Sequence, residues 1–198
     1  GRRVLVTGAT GLVGSASVRR LASHPAFGRV IAVVRRELPA ALRLPGVEAR
    51  VADFEALERL DDIGPVTHVL CALGTTIRQA GSRERFRRVD HDYAVATARL
   101  GLRLGAHHFL LVSALGASAG SRVFYNRVKG ETEDAVRALG YRSLTIVRPS
   151  LLLGDRAERV GGDGQRFHWH RAFLLRPRAC YNTSKDHRPQ MRADLQER

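Results

Sequence analysis

The sequence predicts an α/β fold, a single doubly wound parallel sheet flanked by helices, and three observations carry that prediction. Short apolar, β-branched runs alternate with stretches of helical period from residue 2 to about residue 150. The runs lack the polar alternation of a half-exposed strand, so each reads as buried on both faces, as parallel strands under helices are. Between the first run and the first helix stands Gly8-Ala9-Thr10-Gly11-Leu12-Val13-Gly14, a turn with three glycines. Strands alternating with helices, joined by right-handed crossovers, give a doubly wound sheet.

The first strand is Arg3-Val4-Leu5-Val6-Thr7, followed by a helix from Leu12 to about Leu21 with Leu12, Val13, Ala16 and Leu21 at helical spacing. Arg29 to Val34 is a second buried strand ending in Arg35-Arg36, and Val47 to Ala52 a third ending at Asp53-Phe54. Thr67 to Ala72 is the fourth, running into Leu73-Gly74-Thr75-Thr76. A long helix from about Arg83 to Leu104 sets Phe86, Val89, Tyr93, Ala96 and Leu100 on one side. Phe109 to Ser113 is the fifth strand, and Phe124 to Leu139 a helix closed by Gly140 as its C-cap. Ser143 to Arg148 is the sixth strand, stopped by Pro149. Residues 1–154 thus form the sheet domain. Residues 155–198 hold the only Trp, the only Met and scattered Arg, Gly and Pro without a period of 2 or 3.6. They read as an irregular basic tail, the remnant of a substrate-side segment.

Composition bounds the partners. At 44% hydrophobic and 26% charged, the 198 residues are those of a soluble globular domain. No apolar run approaches the ~18 residues of a membrane span, so no membrane partner is expected. Cys71 and Cys180 lie in unlike segments and make no disulfide framework, which predicts a reducing compartment and a cytoplasmic protein. The net charge of +14 suggests nucleic acid, but the basic residues form no block and no aromatics interleave with them, which disfavours it. His107-His108 and His168-Trp169-His170 lack Cys, Asp or Glu at ligand spacing, so no metal site is expected. No G-x-S-x-G elbow supports a hydrolase.

The chemistry lies at strand ends, where doubly wound sheets bind ligands. The glycines allow a tight turn, close approach of a pyrophosphate and close helix packing, and the helix N-terminus aims free N–H groups at that phosphate. At the end of the second strand an acid would select a ribose 2′-hydroxyl; Arg35 and Arg36 suit a 2′-phosphate instead, so NADP(H) is expected over NAD(H). Tyr125 and Lys129 stand four apart on one helix face. A free tyrosine is a poor acid or base at neutral pH, and an ammonium beside it favours the phenolate. Such a pair can pass a proton to or from a carbonyl or alcohol oxygen.

Thr7-Gly8-Ala9-Thr10-Gly11-Leu12-Val13-Gly14 with Tyr125 and Lys129 resembles the short-chain dehydrogenase/reductase superfamily in its extended or atypical branch. Leu73-Gly74-Thr75-Thr76, Arg88-Val89-Asp90-His91-Asp92-Tyr93, Val128-Lys129-Gly130-Glu131 and Arg148-Pro149 make it similar to the Tat-interacting oxidoreductase group, whose members bind NADPH. The resemblance covers residues 2 to about 156 and implies a Rossmann-type domain. It implies Tyr125 as proton donor and acceptor and Lys129 as its activator and a ligand of the nicotinamide ribose. It also implies Ser113 as the third catalytic hydroxyl; that serine can instead satisfy backbone groups at the strand end. The implied cofactor set is the turn from Gly8 to Gly14 (Ala9, Thr10, Gly11, Leu12 and Val13 included), Arg35 and Arg36, Asp53 and Phe54 at the adenine, Leu73, Gly74 and Thr75, and Pro149 and Leu152. The expected activity is hydride transfer between NADP(H) and a small-molecule carbonyl or alcohol, by a monomer or homodimer. The alternative is an NADP(H)-binding regulatory or redox-sensing scaffold with little turnover.

Overall fold

The strand β1 (Arg2–Thr7) forms the centre of the sheet, because Val4, Leu5 and Val6 are all buried, Val4 and Val6 on one face and Leu5 on the other. The chain continues through α1 (Leu12–Ala22), β2 (Phe27–Val34), β3 (Val47–Val51), β4 (His68–Cys71), α2 (Ile77–Ala80), α3 (Arg83–Arg87), α4 (Tyr93–Arg103), β5 (His108–Val112), α5 (Phe124–Ala138), β6 (Ser143–Val147) and β7 (Cys180–Ser184). The structure, a computed structural model, describes residues 1–149 and 180–184.

The strands lie in the order β3-β2-β1-β4-β5-β6-β7. Neighbours from β3 to β6 pair in parallel, with Val6 beside Ala32 on one side and Leu70 on the other. The winding reverses between β1 and β4, which opens a crevice at their carboxyl ends. α1 covers one face through Val18, over Val4, Val6, Val30 and Ala32. Ala94, Ala98 and Leu100 of α4 and Val136 of α5 cover the other, over Leu5, Ile31, Val69, Phe109 and Ile146.

The six predicted strands are present, with bounds that differ by at most two residues from expectation. Two elements differ. The long helix is broken by a π-helical turn over Arg88–Asp92, between α3 and α4. That turn rotates the faces, so the buried stripe runs through Phe86, Asp90, Ala94, Thr97, Ala98 and Gly101, while Val89, Tyr93 and Ala96 stand half-exposed. Cys180–Ser184, inside the segment read as irregular, forms β7 and pairs antiparallel with β6, Cys180 opposite Val147. Among the described residues no helix is long and apolar enough to cross a membrane.

Candidate cofactor and catalytic site

The glycine turn is built by contacts that differ at each glycine. Gly8 follows β1 at φ +75°, and the Gly11 amide donates to its carbonyl at 3.0 Å. A Cβ on Gly8 would overlap the Ala72 backbone beyond β4, and one on Gly14 would overlap the Gly8 carbonyl. These two glycines let the turn, strand and helix touch. Gly11 is different: its φ of −77° suits any residue, and a Cβ there would meet only the Gly8 carbonyl, at 3.4 Å. Ala9 is buried beneath the turn, Thr10 is exposed, and Leu12 and Val13 open α1 half-buried. No side chain caps α1 and its first turn carries no acid, so its free N–H groups and partial positive charge face outward.

Along the same rim, Arg35 and Arg36 follow β2 exposed. Asp53 accepts the Glu55 amide at 3.0 Å and caps a 3-10 turn over Phe54–Arg59. The Phe54 ring is in the core, edge-on to Tyr93 at 5.5 Å, so its backbone is what it offers a ligand. The Tyr93 hydroxyl donates to Glu55 at 2.7 Å, and Arg88 reaches the same oxygen. Burial, with that bond to a carboxylate, pushes Tyr93 up to about 12, and Arg35 is near enough for its charge to oppose the shift.

Across the crevice, Tyr125 lies in the first turn of α5, half-buried, its ring 5.4 Å from that of Phe86. One turn on, the Lys129 ammonium is buried and 2.7 Å from Asp90 Oδ1. Asp90 sits in the π turn and is fully buried. Its Oδ2 accepts the Thr75 amide at 2.9 Å, and its backbone carbonyl accepts the Thr132 hydroxyl at 3.0 Å. Burial pushes the Asp90 carboxyl up despite the ammonium beside it. Gly74 borders the pair, with room for no more than a Cβ in van der Waals contact, and Leu73 packs half-buried against the core. Cys71, buried under the pair, has its thiol pushed up by burial.

Ser113 follows β5 and is buried, but its hydroxyl donates to Glu133 at 2.6 Å. Glu133 lies eight residues beyond Tyr125 on α5, about 12 Å at 1.5 Å per residue. The fully buried Glu133 also accepts from Arg148, at Nε 2.8 Å, and from Arg137 at 2.9 Å. Burial alone would raise its carboxyl; the Arg148, Ser113 and Arg137 contacts outweigh that and hold it low. Pro149 accepts the Leu115 amide at 3.0 Å, tying the β6 end to the β5–α5 loop. Leu152 lies outside the described residues.

The structure therefore brings Gly8–Gly14, Leu73–Thr75, Lys129 and Asp90 to one crevice, and it sends the Ser113 hydroxyl into an ion-pair cluster. Sequence reasoning missed Glu133, and it quoted Asp90 and Gly130 within motifs without giving either a role. The signal for Asp90 was an acid at the i+4 position from Phe86 on an apolar face. Among the described residues no group of three or more His, Cys, Asp or Glu side chains could hold a metal.

Glycine turn and winding reversal together define the dinucleotide-binding class of doubly wound domains. The chain belongs to the NAD dependent epimerase/dehydratase family, which it matches over residues 4–173. It is 36% identical over 163 residues to "Protein FMP52, mitochondrial" of Eremothecium gossypii, covering 81% of this chain and 70% of the relative. It is 35% identical over 167 residues to "Protein HTATIP2" of Rattus norvegicus, covering 82% and 67%. A short-chain dehydrogenase/reductase superfamily protein from Agrobacterium tumefaciens, solved with bound NAD, shares the fold at a TM-score of 0.60 and 21% identity, over 74% of this chain and 48% of that one. The chain thus spans about half of that solved structure. The fungal relatives correct the cytoplasmic expectation: those of E. gossypii, Kluyveromyces lactis, Emericella nidulans and Saccharomyces cerevisiae are all named mitochondrial. A cysteine count speaks to redox state and does not tell one reducing compartment from another.

Proposed function

We propose that the protein is an NADP(H)-dependent oxidoreductase of the short-chain type that reduces a carbonyl or oxidises an alcohol. The observation that carries the reading is Gly11, a glycine that neither backbone angle nor internal packing requires, at an uncapped and acid-free helix N-terminus. A close-lying pyrophosphate supplies the missing reason. The residues fit the cofactor: the α1 amides for the pyrophosphate, Arg35 and Arg36 for a 2′-phosphate, Asp53 and the Phe54 backbone for adenine, and Leu73 to Thr75 and Lys129 for the nicotinamide half, with Pro149 beyond it. The family description reads NAD, and the preference for NADP rests on the two exposed arginines after β2.

When bound, the nicotinamide supplies or accepts the hydride. Tyr125 transfers the proton to or from the substrate oxygen, and Lys129 orients the ribose and biases Tyr125 toward transfer. Ser113 is the reading's third hydroxyl, yet it donates its one hydrogen bond to Glu133, which leaves polarisation of the carbonyl to Tyr125. The mitochondrial names of the fungal relatives support a mitochondrial setting.

The test is NADPH consumption over a panel of aldehydes and ketones. Tyr125→Phe is expected to cut turnover by about 10²–10⁴-fold with unchanged NADPH affinity. Full turnover in that variant would refute the mechanism. A second reading, an NADP(H)-binding redox-sensing scaffold, is favoured by the engaged Ser113 hydroxyl. It predicts tight NADPH binding with no carbonyl-dependent consumption.

A further inference from the structure

We propose that Arg83 and Arg127 form an anion-binding pair beside Tyr125, and that the substrate is a carbonyl compound carrying a carboxylate or phosphate. The inference rests on the oxidoreductase reading above and names the substrate class of that same site. Phe124 opens α5 half-buried, one residue before Tyr125. The Arg83 guanidinium lies over its ring at 5.3 Å and the Arg127 guanidinium at 5.7 Å, so two cations meet at one aromatic side chain. Phe86 joins this group to the proton-transferring residue: its ring is 5.8 Å from that of Phe124 and 5.4 Å from that of Tyr125.

Among the described residues neither guanidinium has a carboxylate partner. Glu131 stands one helical turn beyond Arg127, the spacing at which an acid and an arginine pair, but its carboxylate is held by Arg87. The first turn of α5 carries no acid of its own. Arg127 donates to the Ser121 carbonyl at 3.1 Å, which fixes the direction of its guanidinium and leaves other N–H groups to a ligand. On α4 and at the far end of α5 the arginines are matched with acids, Arg99 with Glu58, Arg103 with Asp61 and Arg137 with Asp134. Covering the Phe124 ring would account for one arginine. It does not account for two, because like charges gathered at one ring repel each other when no anion lies between them. A carboxylate or phosphate removes that repulsion and takes the forked donors of both side chains. The cofactor's own phosphates do not fill this role, since the residues that suit them, the α1 amides with Arg35 and Arg36, lie across the crevice. The pair reaches Tyr125 through the rings of Phe86 and Phe124 and not directly, so the acid group sits some bonds away from the reacting carbon.

The experiment compares NADPH consumption with matched aldehydes, succinate semialdehyde against butanal and glyceraldehyde 3-phosphate against glyceraldehyde. The members of each match differ by an acid group, and the two matches tell a carboxylate from a phosphate. The proteins are the full chain, an Arg83→Gln, Arg127→Gln double variant, and an Arg19→Gln, Arg20→Gln control that removes the same charge from the exposed last turn of α1. For at least one match the wild type is expected to favour the acid-bearing aldehyde about tenfold to a hundredfold in kcat/KM, the scale of a charge-assisted hydrogen bond. The double variant is expected to lose that preference through KM, and the control to retain it. No acid preference in the wild type, a preference that survives in the double variant, or equal loss in the control would overturn the proposal. A second readout needs no turnover: the same four aldehydes are titrated without NADPH while the Arg83 and Arg127 Nε–H signals are followed by nuclear magnetic resonance. Shifts caused by an acid-bearing aldehyde and not by its neutral match support the pair, and no shift with either acid overturns it. Such shifts without consumption of NADPH by any aldehyde would overturn the oxidoreductase reading, and the substrate class with it, while leaving the anion-binding pair in place.

Discussion

At Gly8 the backbone stands at φ +75° and an added Cβ would run into the Ala72 carbonyl, whereas at Gly11 the φ is −77° and an added Cβ would make only an ordinary contact with the Gly8 carbonyl. The fold thus requires glycine at the first position and not at the second, where the proposed reading has the ligand require it. Gly8→Ala is expected to lower stability by about 2 kcal/mol or more, from the left-handed backbone and the collision together. Gly11→Ala is expected to leave the melting temperature within a few degrees of wild type and to weaken NADPH at least tenfold. Thermal melts and a nucleotide titration on both variants check this, and equal melting losses would contradict it. Ser113→Ala removes one donor to a buried carboxylate and should cost about 1–3 kcal/mol of stability with little change in turnover. The glycine spacing was legible because its function is set by short-range geometry. The fate of the Ser113 hydroxyl was not, because its partner Glu133 is twenty residues away and meets it only when α5 packs on β5.

Among the elements, α5 does the most. It carries Tyr125 and Lys129 on one stretch and Glu133 on the next, and Gly130 lies between them. A Cβ on Gly130 would overlap the Ser118–Ala119 backbone, and the Ser118 amide donates to the Asn126 carbonyl at 3.0 Å. The helix therefore clamps the loop that follows β5. Gly130→Ala should push that loop away and lower the melting temperature, and increased amide exchange at residues 115–121 would show where. Glu133→Gln removes the buried charge that Ser113, Arg137 and Arg148 share and is expected to cost about 3 kcal/mol, read from denaturant unfolding. The strands were legible nearly to the residue, because strands buried on both faces are written as unbroken apolar runs such as Val-Ile-Ala-Val-Val. The break in the long helix was not, since a π turn shifts the period by a fraction of a turn and leaves the local composition helical. β7 escaped for another reason: its place is set by pairing on the open edge of β6, not by any pattern of its own.

For the whole molecule, the sheet separates two chemistries. The cofactor crevice lies at the carboxyl ends of the strands, while His68, His107 and His108 cluster at the amino ends, with ring centroids 5.0 Å and 5.4 Å from His68. Burial, with the charges of His108, His107 and Arg2, lowers His68 to about 4, and burial lowers His108 as well. The unfolded chain binds these protons at about pH 6.5 and the folded chain resists them. Stability is therefore predicted to be full above that value and to fall as the pH drops toward 4. His68→Phe should flatten this fall in melts recorded across the range, and an unchanged slope would count against the cluster.

The central claim is that the crevice at the other end holds NADP(H), chosen by Arg35 and Arg36. Its most direct test is a calorimetric titration with NADPH and NADH of the wild type and of the Arg35→Ala, Arg36→Ala double variant. The account predicts that wild type prefers NADPH, and that the double variant loses about a hundredfold for NADPH and little for NADH. Equal affinities for the two nucleotides in wild type, or no binding of either, would contradict it.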